Sequence, residues 1–419
     1  MRQDRDFPHL FCSGPYLREK MECKKTVLYE NHLALGGSGH LAEFAGYLMP
    51  LWYTSISSEH EAVRKTAGMF DCTHMGILEI CGGDAEGFLN LISTNNVSLL
   101  KTGQAQYSYI LDTNGKVLDD IIIYKLEADR FMVVVNAANE PKVKAWVNSV
   151  VNDKSLTELK PEITDVKSRI AGQNQRVDIA LQGPVSTECL SNLSDGDILS
   201  IKPFRFINTE VAGTDVILSR TGYTGSKAAY ELYVHPDKAA DLWRKILDKG
   251  GALGVMPCGL GARDSLRIEA GLPLYEHELA GGFNISPFEA GYGWAVKLDK
   301  DFFIGQAAME QHSRTYNKEV IRIKLSGRKG VRPVREGDGI VDGSGICQGW
   351  VTSCAKVNDE QVALAYVERG TLKQGETMGL YYLARSQSQI TKGKKESVNI
   401  GVKLEVDIEG EIVSRFEKF

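Results

Sequence analysis

The alternation of apolar and polar positions predicts many short strands and only a few amphipathic helices. Residues 59–69 (EHEAVRKTAGM) read as a short helix, with Ser57 or Ser58 as its N-cap and Gly68 near its end. Gly76–Cys81 (GILEIC) predicts a strand. The clearest hairpin is 107–125, where YSYIL and VLDDIIIYK flank Asp112-Thr113-Asn114-Gly115. An Asn-Gly step between β-rich runs is the strongest short hairpin signal. Residues 131–135 (FMVVV) form a third strand, and 140–151 can be helical. Further strands are expected at 177–181, 216–219 and 230–234, and helices at 242–247 and 262–270. This succession argues for an α+β domain rather than a doubly wound parallel sheet. From about Val320 the texture changes to β-rich runs (VIRIKL, ICQGWVTSC, QVALAYV, GLYYLA) separated by Gly and charged turns, which predicts a small C-terminal all-β domain. The Lys-rich stretch 385–397 reads as a solvated loop, and no repeat period is evident.

Length and charge narrow the function. The 419 residues suggest two or three domains, and 43 % hydrophobic content is ample for a packed core. With 49 basic and 54 acidic residues the net charge is −5, so there is no electrostatic case for nucleic acid as the main partner. None of the eight cysteines forms a CxxC pair, which reads as free thiols in a reducing compartment. No apolar run approaches the roughly 20 residues that span a bilayer. Residues 1–25 lack the apolar stretch of a signal peptide, and Asp4, Asp6, Glu19 and Glu22 argue against a mitochondrial transit peptide. A cytoplasmic protein is expected, or a matrix protein in a eukaryote.

The candidate chemistry lies in a few charged positions. Asp119 and Asp120 sit inside VLDDIIIYK, and adjacent strand residues point to opposite faces. Asp120 shares its face with Leu118, Ile122 and Tyr124, and Asp119 shares the other with Val117, Ile121 and Ile123. At most one carboxylate can enter a given pocket; the alternative is an edge strand with one wet face. Arg263 and Arg267, at i and i+4, could together hold a carboxylate or a polar heterocycle, or could form a salt-bridged helix face. His74 has no second His at metal-ligand spacing, so no metal site is expected. Cys72 beside His74 does not define a nucleophilic pair. Neither a P-loop nor a GxGxxG after a strand is present, which disfavours nucleotide hydrolysis and Rossmann cofactors.

Taken in order, the runs EFAGYLMPLWYTSISSEHEAVRKTAGMFDCTHMG, GQAQYSYILDTNGKVLDDIIIYK, VVVNAAN, RTGYTG, YELYV, GLGARDSLRIEAGLPLYEHEL, ISPFEAGYGWAVKLDKDFFIG, GWVTSC and VALAYV resemble the tetrahydrofolate-dependent aminomethyltransferase family, the T-protein of the glycine cleavage system. The resemblance covers about residues 28–382. It implies a three-lobed cloverleaf with folate in the central hole. An N-terminal extension (1–26), a folate-binding region of two α+β lobes (27–310) and a C-terminal β-barrel domain (318–419) would follow one another. Asp120 matches the family's central acid. Met75, Tyr107, Ile122, Tyr124, Asn136, Tyr223, Glu231, Arg263 and Trp294 match positions lining the folate site, with Glu231 reading the pterin. The implied reaction moves an aminomethyl group from the lipoyl arm of H-protein to tetrahydrofolate and releases ammonia. The related alternatives are a tetrahydrofolate-dependent demethylase acting on a small methyl donor, and a non-catalytic folate-binding protein. The sequence departs from the family at Ser226-Lys227-Ala228-Ala229, where relatives usually continue with an acidic step, and in the tail after Tyr382.

Overall fold

The computed structural model describes residues 23–417 and 419. Cys12 and most of the expected 1–26 extension lie outside them. Three short strands, Lys24–Lys25, Leu41–Phe44 and Tyr47–Pro50, form a small sheet ahead of the main body. There follow α1 (Ile56–Lys65), β1 (Ala67–Asp71), β2 (Gly76–Cys81), α2 (Ala85–Ile92), β3 (Gln104–Leu111), β4 (Val117–Glu127), β5 (Arg130–Val135), α3 (Glu140–Asn152) and β6 (Glu162–Asp165). Then come β7 (Val177–Gln182), α4 (Ser186–Ser191), β8 (Phe206–Val211), β9 (Thr214–Ser219), β10 (Ala229–Val234), α5 (Pro236–Gly250), β11 (Val255–Pro257) and α6 (Leu260–Ala270).

These elements contain a duplication. One sheet has the order β3-β4-β5-β2-β6 and the other β8-β9-β10-β7-β1-β11. The succession strand, helix, three strands, helix occurs twice: β2-α2-β3-β4-β5-α3 and β7-α4-β8-β9-β10-α5. The four strands of each copy stand in the same spatial order. The strand before each copy is exchanged: β1 precedes β2 but pairs with β7, and β6 precedes β7 but pairs with β2. The repeat that the sequence did not reveal is therefore topological, because the two copies share a pattern of burial rather than a run of residues. Leu78, Ile80, Phe88, Leu89, Ile121, Ile123, Val133 and Val143 form the core of the first copy, and Ile179, Leu181, Leu218, Leu232, Leu242, Trp243 and Ile246 that of the second. A third cluster, Ile77, Tyr124, Met132, Val134, Phe206, Ile217 and Tyr233, joins the facing sheets. Few strand positions are left wet on either side, which is why β4 reads as a nearly continuous apolar run.

Two local expectations change. The helix read at 59–69 starts earlier and stops at Lys65. Ser55, rather than Ser57 or Ser58, accepts a hydrogen bond from the Ser58 N–H at 3.1 Å. The chain from Ala67 onward extends as β1, where Gly68 lies against Val63 and Cys258 so closely that a Cβ would come within 2.6 Å of both. The stretch 385–397 contains a short helix, Gln387–Thr391.

By internal contacts the described chain forms two compact units. One ends at Arg263 and includes Trp294–Gln311; the other comprises Asp264–Gly293 and His312–Phe419. The second unit carries the expected β-domain as a closed six-stranded barrel of β12 (Lys318–Ser326), β13 (Gly339–Val341), β14 (Cys347–Val357), β15 (Glu360–Glu368), β16 (Thr377–Tyr381) and β17 (Ile408–Val413), in the order β12-β15-β14-β13-β16-β17. Closure removes the free edges that an open sheet would expose. Ile323, Ile340, Val351, Ala363, Ala365, Val367 and Leu380 fill its interior. No helix among the described residues is long and apolar enough to cross a membrane.

The strand exchange depends on a close backbone crossing at Gly183, directly after β7. Its φ is 137°, and a Cβ there would lie 2.4 Å from the Thr66 carbonyl oxygen and 2.6 Å from Ala67 Cα. Gly183→Ala is expected to cost about 3 kcal/mol of stability by urea denaturation; a wild-type midpoint would contradict the exchanged packing of β1.

Candidate active site

β4 is a central strand, hydrogen-bonded to β3 on one side and β5 on the other. The alternative of an edge strand with a wet face is therefore excluded. Its two carboxylates have the opposite facing that alternation requires. Asp119 is fully buried on the side of Ile121 and Ile123, and Asp120 is half-buried on the side of Ile122 and Tyr124. Asn136, just past the end of β5, binds both. Its Nδ2 donates to Asp119 Oδ1 at 2.8 Å and to Asp120 Oδ1 at 2.9 Å, and its backbone N–H donates to Asp119 Oδ2 at 2.9 Å. Asn139, the residue that opens α3, adds an Nδ2 donor to Asp119 Oδ1 at 2.6 Å. The Tyr107 hydroxyl donates to Asp120 Oδ2 at 2.9 Å. Burial raises the pKa of both carboxyls, and Asp120 adds to the rise at Asp119. The Asn136 amide and, at Asp120, the Tyr107 hydroxyl pull the other way. Asp120 is thus fixed in direction by neutral donors, and no cation among the described residues pairs with it.

The same face of β4 continues to Tyr124, roughly 13 Å from Asp120 at 3.3 Å per residue. The Tyr124 hydroxyl meets the second repeat, with Tyr233 Oη at 2.9 Å, Thr221 Oγ1 at 3.2 Å and Glu231 Oε2 at 3.3 Å. Thr221 and Tyr233 also donate to Glu231 Oε2. One oxygen of Glu231 is therefore saturated, while Oε1 accepts no hydrogen bond among the described residues. Met75 and Ile122 both pack on the cluster between the sheets. Arg263 lies over the Tyr223 ring, 5.3 Å from its centroid, and donates through Nη1 to Cys72 Sγ at 3.2 Å. No carboxylate among the described residues forms an ion pair with it. Burial pushes the Cys72 thiol well up, and Arg263 only partly offsets this, which disfavours the thiolate a nucleophile needs. Trp294 stands 6.0 Å from Tyr107, ring to ring, and is half-exposed. Its segment is fastened to the end of α2: Thr94 Oγ1 donates to the Ala295 carbonyl at 2.9 Å, and Lys300 Nζ donates to the carbonyls of Asn90, Ser93 and Asn95 at 2.7, 2.8 and 2.9 Å.

The residues named from the sequence thus gather in three connected groups: Asp120 with Tyr107, Asn136 and Trp294; Tyr124 with Ile122, Met75 and Glu231; and Arg263 with Tyr223. Arg267 is not among them. It belongs to the second compact unit and is fully buried there against Asp264, Glu278 and Ser353. Sequence reasoning placed Asp119 on the opposite face without a role at the site, and passed over Thr221 and Tyr233. The period of two in YELYV places Tyr233 beside Glu231, and that signal was available. Nothing local marks Asp119 as the anchor of Asn136. Among the described residues no three His, Cys, Asp or Glu side chains group as a metal site requires.

A duplicated α+β body followed by a β-barrel, with an acid fixed by neutral donors on the facing sheets, defines a class for which relatives exist. Residues 28–300 match the GCVT N-terminal domain. The Aminomethyltransferase of Halalkalibacterium halodurans is 43 % identical over 292 residues, covering 69 % of this chain and 75 % of the relative. That of Halothermothrix orenii is 39 % identical over 358 residues, covering 85 % and 94 %. The solved glycine cleavage system aminomethyltransferase T from Bartonella henselae superposes with a TM-score of 0.75 at 29 % identity, covering 93 % of this chain and 97 % of that one. The chain belongs to the GCVT aminomethyltransferase family, a family of transferases.

The two carboxylates should separate in experiment. Asp119→Asn turns an amide N–H₂ toward the donors of Asn136 or Asn139, and is expected to cost about 1–3 kcal/mol in urea denaturation. Asp120→Asn should stay close to wild-type stability. Equal stability losses would contradict the facing of β4.

Proposed function

We propose that the protein is the aminomethyltransferase of a glycine cleavage system, acting in the cytoplasm. It would transfer the one-carbon unit from aminomethyl-lipoyl H-protein to tetrahydrofolate, leaving the lipoyl arm as its dithiol and releasing ammonia. The observation that carries this reading is the Asp120 carboxylate, held by Tyr107 and Asn136 at one end of a half-buried face whose other end carries Glu231, its Oε1 accepting no hydrogen bond among the described residues. The donor set fits a reduced pterin. Glu231 Oε1 is an acceptor for an amino group and the adjacent ring N–H, Arg263 supplies buried donors for a carbonyl or an anionic group, and Met75 and Ile122 offer apolar contact to a flat ring. Tetrahydrofolate, when bound, supplies the nucleophilic amine.

In this proposal the protein contributes position and electrostatics. Glu231 and Arg263 fix the heterocycle. Asp120 faces the charge that develops at the transferred carbon and its nitrogen, and stabilises it in a site of low dielectric constant. Asn136 and Tyr107 prevent Asp120 from turning away, and Trp294 covers Tyr107 on the solvent side. A neutral Cys72 thiol is consistent with direct transfer rather than a covalent protein intermediate. Because Asp120 acts as an anion and its pKa is raised, activity should increase with pH as its proton is lost, with the midpoint above the ordinary carboxylate range. Asn136→Ala removes a hydrogen bond that favours the ionised form and should move that midpoint further up.

The decisive assay is methylenetetrahydrofolate formation from aminomethylated H-protein. Wild-type protein should respond, with activity falling as salt is added if charged docking speeds association. Asp120→Asn should lose roughly 10²-fold in kcat, and Glu231→Gln should weaken tetrahydrofolate binding in calorimetry by roughly tenfold. Product formed from a small methyl donor, with no response to H-protein, would replace this reading by a demethylase on the same fold.

A further inference from the structure

Asp178 lies on β7, directly opposite Tyr233 and two pairs along from Ala180, which is paired with Glu231. Asp178, Tyr233 and Glu231 consequently share the face turned toward the first repeat. The side chain is 2 % exposed, and its Oδ1 is buried without a hydrogen-bond partner. Among the described residues no cation forms an ion pair with it. The groups around it are Glu231 and Tyr233 on β10, Asp71 and Cys72 at the end of β1, whose Cys72 N–H is spent on the Asp178 backbone carbonyl at 3.2 Å, and Arg263 from α6. An ionised carboxylate enclosed in this way, without a partner, is strongly disfavoured. Burial and Glu231 raise its pKa well above the ordinary range, and Arg263 only partly opposes them. Asp178 is therefore a neutral acid, presenting one O–H donor and one carbonyl acceptor side by side.

A protein has little reason to keep such a group for stability, because an apolar residue of similar size would avoid the desolvation penalty. Glu231 Oε1 beside it is an acceptor only, and Arg263 a donor only. Asp178 supplies the one donor–acceptor pair among the three.

We propose that Asp178 is a specificity-determining binding residue: as a neutral acid it pairs with an edge of the ligand's heterocycle that carries an N–H and an acceptor atom side by side. This rests on the folate reading and refines it, since Glu231 selects a two-donor edge and Asp178 a mixed one. An ionised Asp178 would set two acceptors against that edge, so affinity is present while Asp178 is protonated and is lost as pH rises through its titration.

Calorimetry with tetrahydrofolate on the full chain tests the assignment. Asp178→Asn keeps a donor and an acceptor, so it should bind within roughly threefold of wild type, and the decline in affinity at high pH that depends on Asp178 should be absent. Asp178→Leu should bind roughly tenfold more weakly or worse, having lost both hydrogen bonds. In the absence of ligand Asp178→Leu should melt at or above the wild-type temperature, whereas a purely structural acid would leave a less stable protein on removal. Leu binding as tightly as wild type, or Asn binding as weakly as Leu, overturns the assignment and leaves the aminomethyltransferase reading standing. Wild-type protein that binds no tetrahydrofolate overturns both.

Discussion

Two adjacent carboxylates on a central strand, held by one asparagine, form the constraint on which the site depends. A strand must send Asp119 and Asp120 to opposite faces, so Asp119 enters the core between β4 and its helices, where no cation among the described residues compensates it. Its hydrogen bonds come from Asn136 and from Asn139 at the start of α3. Each of those contacts fixes the turn between β5 and α3, and that turn delivers the same Asn136 amide to Asp120. The N-terminal end of α3 also carries the positive pole of the helix dipole toward the buried acid. The acid facing the site is thereby oriented by the acid in the core. Neutral donors suit this arrangement better than a lysine or arginine, because a cation would cancel the charge that Asp120 is proposed to offer.

The duplicated fold explains why the rest of the site lies opposite. Each repeat alone is a sheet with one helical layer, and its other face needs cover. The repeats cover one another through the cluster of Tyr124, Met132, Val134, Ile217 and Tyr233, and the exchanged strands β1 and β6 tie them together. Polar groups enclosed by such packing have to satisfy one another, as Tyr124, Thr221, Tyr233 and Glu231 do. The saturation of one Glu231 oxygen orients the other. The chain after β1, which crosses to the first repeat, carries Cys72 and Met75, so the exchange itself brings those residues to the junction.

Much of this was legible in the sequence. The Asn-Gly hairpin, the strands at 76–81, 131–135, 177–181, 216–219 and 230–234 and the helices at 140–151, 242–247 and 262–270 came from period and turn chemistry, whereas α2, β6, α4 and β8 carried no such signal; the facing of Asp120 followed from alternation alone. The start of α1 was misplaced because three serines compete as caps and only the packing of Ile56 onward decides among them. The strand that begins at Ala67 was hidden because AGMFD is short and follows a helical pattern without a clear stop. The duplication escaped because the copies share burial and order rather than residues: Glu231 in one corresponds to Met132 in the other, and Asp178 to Ile77, by their register with the neighbouring strands. Single residues such as Arg263 and Tyr223 carried little signal alone. They gained meaning from the ordered resemblance, and their common location comes from tertiary packing between the repeats.

In the proposed complex the face from Asp120 to Glu231 holds the pterin with its reacting nitrogen toward Asp120. The most direct measurement is an experimental structure of the protein with a stable reduced folate. The pterin is expected between the facing sheets, its amino edge within hydrogen-bond distance of Glu231 Oε1 and its N5 side toward the Asp120 carboxylate. A folate bound elsewhere, or one whose pterin leaves both carboxylates facing only solvent, would contradict it.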